Sequence, residues 1–503
     1  MTREPSFDFI PRIDDHPSGK RALSRIEEAM ERKEKVIVYG DYDTDGIMAT
    51  SIVYRSFLKR KKPVSFFIPA RYKDGYGLNL ENAKKIASGG YKLVILVDNG
   101  ISCFDEVSYL LSQGIDTIII DHHSLPETLP PSFAIIHPET LPSGEVPVSA
   151  GYLSFLFSVA MLKEVDPYLL TLGALSTISD LMPIKAHNRE IVRLCLRHIR
   201  KLGFPQILSL TGATRIDERV LSMDVIPVIN AVGRMDLGTK ANRLIHYFGD
   251  DFSEASEAIA VWMKENNAAR KEATVKAEEK LRVEEDEPGI CAIGTLPEGL
   301  NGLLANRLMD RYEKPTAIFS PAKADPTLYV GSIRSRNGFS VLELEQECAD
   351  LIEKGGGHLH AGGLSIKKEK YGEFRERFLS YSASHPFVKE EVKSIPILES
   401  EINMETFRLI RELAPFGMDY EEPVFLLSGI APARLAYTRD GRFLSFDLKT
   451  GARLFSFSFG KDDFDSRLPS YSFLGTLQLN EWKGTTRINF MCEVEGQISP
   501  TKK

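Results

Sequence analysis

Three short apolar runs, each closed by an acidic residue, dominate the first quarter of the chain. They read VIVYGDYDTDG (Val36 to Gly46), LVILVDNG (Leu93 to Gly100) and TIIIDHH (Thr117 to His123). Continuous Val/Ile/Leu runs of this length have the composition of strands buried on both faces. Helical stretches alternate with them through residues 36–185, which predicts an α/β domain, and residues 22–34 (ALSRIEEAMERKE) read as a surface helix feeding the first strand. If the strands are parallel neighbours, their C-terminal ends lie along one edge, where open α/β sheets place their sites. The acids and imidazoles then converge, and a carboxylate/imidazole cluster is a metal site before it is anything else.

The pattern changes twice further along. Residues 253–285 are charged and free of Gly and Pro, which predicts a solvated helix connecting two domains, and the EEDEPG that follows is a natural boundary. A second α/β unit extends to about Pro386, with a buried run (ICAIG), a helix (GLLANRLMDRYEK) and a Gly-rich loop, GGGHLHAGG, at 355–363. From about residue 424, short alternating segments separated by turns predict a small antiparallel β-domain of barrel type. The boundaries expected are 1–250 for the first domain, 251–286 for the connecting helix, 287–388 for the second domain, and 389–503 for a linker and the β-domain.

Composition narrows the class. At 503 residues the chain exceeds one core. With 43% hydrophobic and 26% charged residues it is ordinary for a globular protein. No apolar stretch reaches the roughly 18–20 residues that cross a bilayer, and the polar start, MTREPSFDF, lacks the apolar region of a signal peptide. Five scattered cysteines without a CxxC suit a reducing cytoplasm and argue against a zinc finger or a disulfide framework. A net charge of -7 does not advertise a nucleic-acid binder, but an acidic metal cluster is neutralised by its ions and basic grooves survive in acidic chains.

In DYDTDG the acids stand at Asp41, Asp43 and Asp45, and in extended backbone residues two apart share a face. Three such carboxylates repel one another unless a cation lies between them. Taken alone the motif also suits a calcium loop or a polar turn. Asp98 ends the second run before Asn-Gly, His122 and His123 end the third, and Asp180 closes an apolar helix-like stretch (LSTISDLMP) before a proline. Each alone reads equally as turn or loop chemistry.

Together, DxD, a lone Asp, DHH and a fourth Asp, in that order, resemble the DHH phosphoesterase superfamily. The resemblance implies two Mn²⁺ or Mg²⁺ ions. One would be held by Asp41, Asp43 and Asp98, the other by Asp45, Asp98, His122 and Asp180. Asp121 would orient an imidazole and His123 would face the scissile phosphate.

The rest of the chain is similar to the RecJ branch, the single-strand-specific 5′→3′ DNA exonucleases of bacteria. IPARYKDGYGL (Ile68 to Leu78) resembles its GYGL segment and implies a phosphate contact from Arg71. VIPVINAVGRMD (Val225 to Asp236) resembles its NAaGR element. That assigns Asn230 to substrate binding and Arg234 to the catalytic set, with Val228 where the pattern usually has Arg. GSIRSRNG (Gly331 to Gly338) resembles the GSxRS element of the DHHA1 domain and implies a 5′-terminal phosphate pocket formed by Ser332, Arg334 and Ser335. GGGHLHAGG resembles its GGHxxAAG element, with His358 as a contact and Gly362 in place of Ala. LAPFGMDYEEPVF and LNEWKG are similar to the linker and OB-like domain of that branch, and Trp482, Lys483, Arg453 and Phe457 are candidate strand contacts.

The resemblance therefore implies a DHH catalytic domain, a connecting helix, a DHHA1 domain and an OB-like barrel. It implies hydrolysis of single-stranded DNA to 5′-mononucleotides in repair and recombination. A single-strand-binding protein or a helicase would be a suitable partner, and no membrane is expected. The alternatives are a DHH phosphodiesterase of short RNA or cyclic dinucleotides, and a metal-free scaffold.

Overall fold

The computed structural model describes residues 10–71, 73–140, 146–235, 238–388, 392–457, 459–482, 485–492 and 499–500. Its chain divides into two units, Met1–Lys389 and Glu390–Lys503.

The first unit opens with the helix Pro17–Glu31 and a five-stranded parallel sheet. The strands are β1 (Val36–Tyr39), β2 (Ser65–Phe67), β3 (Leu93–Val97), β4 (Asp116–Ile120) and β5 (Ala134–Ile136), in the order β2-β1-β3-β4-β5. The three apolar runs are the three central strands, and every residue of β1 and β3 is buried. Parallel pairing forces each connection to cross a face of the sheet, and the helices that do so cover both faces. Pairing in register sets Val97 beside Ile120. Asp98 and Asp121 therefore leave neighbouring strands at the same level. Sliding β3 by one residue would draw Asp98 into the sheet, where an unpaired carboxylate costs several kcal/mol. The polar end of each run thus fixes where its strand stops.

Helix α1 (Thr44–Lys59) follows β1 directly, and α2 (Ala150–Leu162) and α3 (Pro167–Ser179) pack on it. These two are buried nearly all round, as an interior helix pair must be. Helix α4 (Ile226–Arg234) carries the NAVGR motif and packs against α5 (Glu254–Lys280), the charged connector.

Beyond it lies a second five-stranded sheet, of β6 (Ile290–Ile293), β7 (Thr316–Pro321), β8 (Leu328–Arg334), β9 (Ile352–His358) and β10 (Ala361–Lys367). The order is β6-β7-β8-β10-β9, with only β6 and β7 parallel. Helix α6 (Asn301–Tyr312) packs on β7 and β8.

One expectation fails in this region. GGGHLHAGG is a β-hairpin rather than a loop, with β9 and β10 joined through Leu359 and His360. Glycine permits it: a Cβ on Gly357 would come within 2.4 Å of the Ala361 carbonyl and 2.5 Å of the Gly362 Cα. Gly331 to Arg334 of the GSIRS segment form the end of strand β8.

The second unit has a seven-stranded sheet. Its strands are β11 (Ile395–Ile397), β12 (Phe425–Ile430), β13 (Leu444–Asp447), β14 (Arg453–Ser456), β15 (Tyr471–Trp482), β16 (Thr485–Met491) and β17 (Ser499–Pro500). The long β15 pairs first with β12 and then with β16. Handing one strand from partner to partner curves a sheet toward a barrel. The expected all-antiparallel pattern is corrected, because β11 pairs with β12 and β14 with β16 in parallel. Turn spacing along the chain does not disclose which non-adjacent strands meet.

Candidate metal centre and phosphate cavity

The DYDTDG segment is not an extended strand with three acids on one face. Asp41 lies just past β1, Asp43 is the N-cap of α1 and accepts a bond from Gly46 N at 3.1 Å, and Asp45 stands in the first helical turn. An Asp at the N-cap accepts from a backbone N–H of the first helical turn and so starts a helix well, and the cap won over the strand. Even so the carboxylates converge. Ligand atoms of Asp41, Asp43 and Asp98 lie within 4.8 Å of one another, and so do those of Asp45, His122 and Asp180. His122 Nε2 stands 3.4 Å from Asp98, 3.6 Å from Asp45 and 3.5 Å from Asp180. A third such group is Asp98, His122 and His123.

Several of these residues are braced by the fold. Asp98 sits in the left-handed region, at φ 58°, which aims its carboxylate off the end of β3 and which Asp tolerates better than most residues. Asn99 Nδ2 donates to the Tyr39 and Val97 carbonyls and ties the ends of β1 and β3 together. Asp45 accepts from Ala150 N and Gly151 N at the start of α2, at 2.9 and 2.7 Å, and from Ser176 Oγ. Asp121 takes Ile101 N on one oxygen, and His122 N and His123 Nδ1 on the other, the last two at 2.7 Å.

The electrostatics match a cation site. Burial, reinforced by Asp43, pushes the Asp41 carboxyl well above its ordinary range, and Asp41 Oδ1 is buried without a hydrogen-bond partner. Burial and then Asp45, Asp43 and Asp41 do the same to Asp98. Burial followed by Asp45 and Asp43 raises Asp180 to about 8. Carboxylates crowded in this way are stable when ionised only with positive charge between them. Mixed carboxylate/imidazole donors at this spacing fit two divalent ions such as Mn²⁺ or Mg²⁺. His123 behaves oppositely. Burial disfavours its charge, but the bond and the charge of Asp121 outweigh burial and raise it to about 9. Burial also pulls Asp121 upward, yet His123 and the backbone N–H groups hold it down to about 2. The pair is therefore an ion pair at neutral pH, with the imidazole partly open to solvent.

Beside the carboxylates lies a cavity of about 220 Å³, whose lining includes Asp41, Asp43, Arg71, Tyr76, Asn230 and Arg234. Arg71 rests on the Tyr42 ring at 5.2 Å. Gly233 is needed for the approach of α4, since a Cβ there would meet the Tyr42 carbonyl at 2.7 Å. Asn230 lines the cavity, but its Oδ1 is occupied by Thr44 N and Thr44 Oγ1, both at 2.9 Å, so it also secures the start of α1. Val228 is buried in α4, an apolar replacement that packs rather than reaches.

In the DHHA1-like half, the Ser332 hydroxyl and the Arg334 guanidinium stand over Gly302, at the start of α6. Ser335 does not face the site: it is buried, and its hydroxyl donates to the Phe339 carbonyl at 3.0 Å. His358 is exposed near the tip of the β9–β10 hairpin.

Tyr76 was passed over in the sequence. Its hydroxyl donates to the Asp98 carbonyl at 3.1 Å and lies 3.1 Å from His123 Nδ1. The available signal was Gly75 and Gly77 on either side, both at positive φ, which turn the ring outward.

On the second unit, a cavity of about 500 Å³ is lined by Arg453, Phe455, Phe457 and Arg487 among others. Phe457 is 64% exposed, with its ring 4.6 Å from that of Phe455. Arg453 and Arg487 share Asp447. Lys483 lies outside the described residues, as does the side chain of Trp482.

A parallel sheet whose strand ends gather four elements of carboxylate and imidazole, followed by a mixed-sheet domain bearing a Ser/Arg strand end, defines a protein of the DHH–DHHA1 class. Matches to the DHH family N-terminal domain over residues 35–177 and the DHHA1 domain over 297–383 agree, and the RecJ OB domain matches 395–494. The chain belongs to the RecJ family. It is 30% identical over 500 residues to the single-stranded-DNA-specific exonuclease RecJ of Bacillus subtilis, covering 94% of this chain and 62% of that protein. The chain thus spans less than two thirds of the length of that relative. It is 30% identical to RecJ of Thermus thermophilus, covering 92% of this chain and 69% of that one. The manganese-bound RecJ structure from Thermus thermophilus has the same fold, with a TM-score of 0.83 and 24% identity, over 96% of this chain and 72% of that one.

Proposed function

We propose that this protein is a 5′→3′ exonuclease that hydrolyses single-stranded DNA to 5′-mononucleotides. The observation that carries the reading is one cavity with clustered carboxylates on one wall and Arg71 and Arg234 on the other. Two Mn²⁺ or Mg²⁺ ions, one at Asp41, Asp43 and Asp98 and the other at Asp45, Asp98, His122 and Asp180, would supply activation of water and neutralisation of phosphate charge. The chain's own residues do the rest. Asp121 keeps His123 cationic at neutral pH, so its imidazole meets a phosphate as a charged donor and gives a proton to the leaving oxygen. Arg234 and Arg71 hold the phosphate against the carboxylate wall, and Arg334 with Ser332 takes the 5′-terminal phosphate. A site that begins at a terminal group degrades from that end.

On the OB unit, Phe457 and Phe455 offer rings on which bases of the trailing strand stack, beside Arg453 and Arg487. The biological setting is DNA repair and recombination in the cytoplasm, consistent with five free cysteines. The partner is a single-strand-binding protein or a helicase. Among the described residues no helix is long and apolar enough to cross a membrane.

The test follows a single-stranded oligonucleotide labelled at its 5′ or 3′ end, with Mn²⁺ or Mg²⁺, alongside a duplex, a dinucleotide RNA and the Asp98→Ala variant. The expected result is release of the 5′ label as a mononucleotide, stepwise shortening of the 3′-labelled strand, and no turnover by the variant. Intact DNA with cleaved dinucleotide would replace this reading with a small-nucleotide phosphodiesterase.

A further inference from the structure

Asp45 differs from its neighbours in the metal centre in how completely its carboxylate is engaged. Asp41 has a buried Oδ1 with no hydrogen-bond partner, and Asp43 accepts from Gly46 N. A carboxylate offers about four lone-pair positions, two on each oxygen. On Asp45, Oδ1 takes Gly151 N at 2.7 Å and the Ser176 hydroxyl, while Oδ2 takes Ala150 N at 2.9 Å. Oδ1 is thereby full. The remaining position is on Oδ2, the oxygen that stands 3.6 Å from His122 Nε2.

The protons fix the direction of the serine bonds. Ser176 Oγ is also 2.6 Å from Ser149 Oγ, which accepts from Tyr152 N at 3.3 Å as the cap of α2. Each serine has one hydroxyl proton, and an ionised carboxylate has none. Ser176 therefore donates to Asp45, and Ser149 donates to Ser176. All three side chains are buried, where hydrogen bonds in series strengthen one another.

Close approach of α2 and α3 makes this contact. A Cβ on Gly151 would come within 2.4 Å of the Ser176 Cβ and Oγ. The last turn of α3 also leads into Asp180, whose N–H bonds the Ser176 carbonyl at 3.0 Å. One helical turn thus supplies the ligand Asp180 and fixes the ligand Asp45, which lies 131 residues from Ser176 in sequence.

We propose that Ser176 is a positioning residue that confines Asp45 to a single oxygen and thereby selects a small octahedral ion such as Mg²⁺ against Ca²⁺ at this site. The inference rests on the reading of Asp45, His122 and Asp180 as an ion site. Mg²⁺ demands near-ideal octahedral geometry and keeps several of its waters. Ca²⁺ accepts about six to eight oxygens in flexible geometry and often takes both oxygens of one carboxylate. For Asp45 to give both, Oδ1 would have to leave Gly151 N and Ser176, and the buried hydroxyl would lose its acceptor.

The test titrates the whole chain, freed of metal with EDTA and dialysed, with Mn²⁺, Mg²⁺ or Ca²⁺ in a calorimeter. Wild type is expected to bind Mn²⁺ and Mg²⁺ and to hold Ca²⁺ no more tightly than Mg²⁺. Ser176→Ala frees a lone pair on Oδ1. The ratio of Ca²⁺ to Mg²⁺ affinity is then expected to rise by about tenfold, the worth of one charge-assisted hydrogen bond. Ser176→Cys keeps a weaker donor and is expected to shift the ratio less. It carries the comparison should the alanine variant not fold, which melting temperatures in EDTA decide.

Equal weakening toward all three ions, or an unchanged ratio in a folded variant, would make Ser176 a structural residue and overturn the proposal. So would a wild type that prefers Ca²⁺. A wild type that binds none of the three ions would remove the reading of these residues as a metal site, and the proposal with it.

Discussion

The two walls of the cavity are opposites in charge and alike in predicament. One holds Asp41 and Asp43, beside which Asp45, Asp98 and Asp180 converge on His122. The other holds Arg71 and Arg234, and among the described residues no carboxylate is bonded to Arg71. Elsewhere the same chain pairs its charges routinely. Arg25, for example, reaches both Glu34 and Asp116, at 2.7 and 2.6 Å. The contrast separates charges arranged for the fold from charges held for a ligand. Structural ions are satisfied internally, whereas a site that binds cations and phosphate must be left in excess on both sides.

The acidic wall is the more sensitive. Asp98 belongs to two of the three candidate ligand groups, so Asp98→Ala should lower turnover on the order of a thousandfold and remove a tight Mn²⁺ site in calorimetry. Retained Mn²⁺ binding would break the comparison at its root. Asp121→Asn should come next, at roughly ten- to a hundredfold. Its amide cannot sustain the His123 cation, so the His123 titration, followed by NMR in the chelated protein, should fall from about 9 toward the ordinary imidazole value.

On the basic wall, Arg71→Gln should raise KM for a 5′-phosphorylated strand by about tenfold, with a smaller change in kcat. A kcat effect of equal size would place Arg71 at the reacting phosphate instead.

The acidic wall should also declare itself in stability. Asp180 titrates near 8 in the metal-free protein, against 3.8 ordinarily, and Asp41 and Asp98 are raised as well. The folded state then binds more protons than the unfolded one. Its contribution is present below about pH 4 and is lost as pH rises through about 8. Thermal melts in EDTA should therefore fall over this window, and melts in Mn²⁺ should not, because bound ions keep the carboxylates ionised. The smallest effect is expected at Ser335→Ala. Losing the bond to the Phe339 carbonyl should cost about 1 kcal/mol of stability and leave KM unmoved. A changed KM would return Ser335 to the phosphate pocket.

Much of this molecule was legible in the chain itself. The strands β1, β3 and β4 were readable because a strand buried on both faces must be continuously apolar. The acid that ends each one was readable because it cannot enter the sheet. Asp41, Asp98 and His122 follow from those local patterns, whereas Asp180 joined them only through the resemblance to the DHH superfamily. What the tertiary structure alone decided concerns partners distant in sequence. Asn230 became a brace for Thr44 from 186 residues away. The glycine-rich stretch closed into a hairpin, Ser335 turned inward, and Tyr76 came to lie between Asp98 and His123. Helix α5 is the clearest case: only its packing against α4 and α6 decides that Asn267 and Thr274 of this charged helix are buried, because which face of a helix is covered depends on its neighbours and not on its own residues alone.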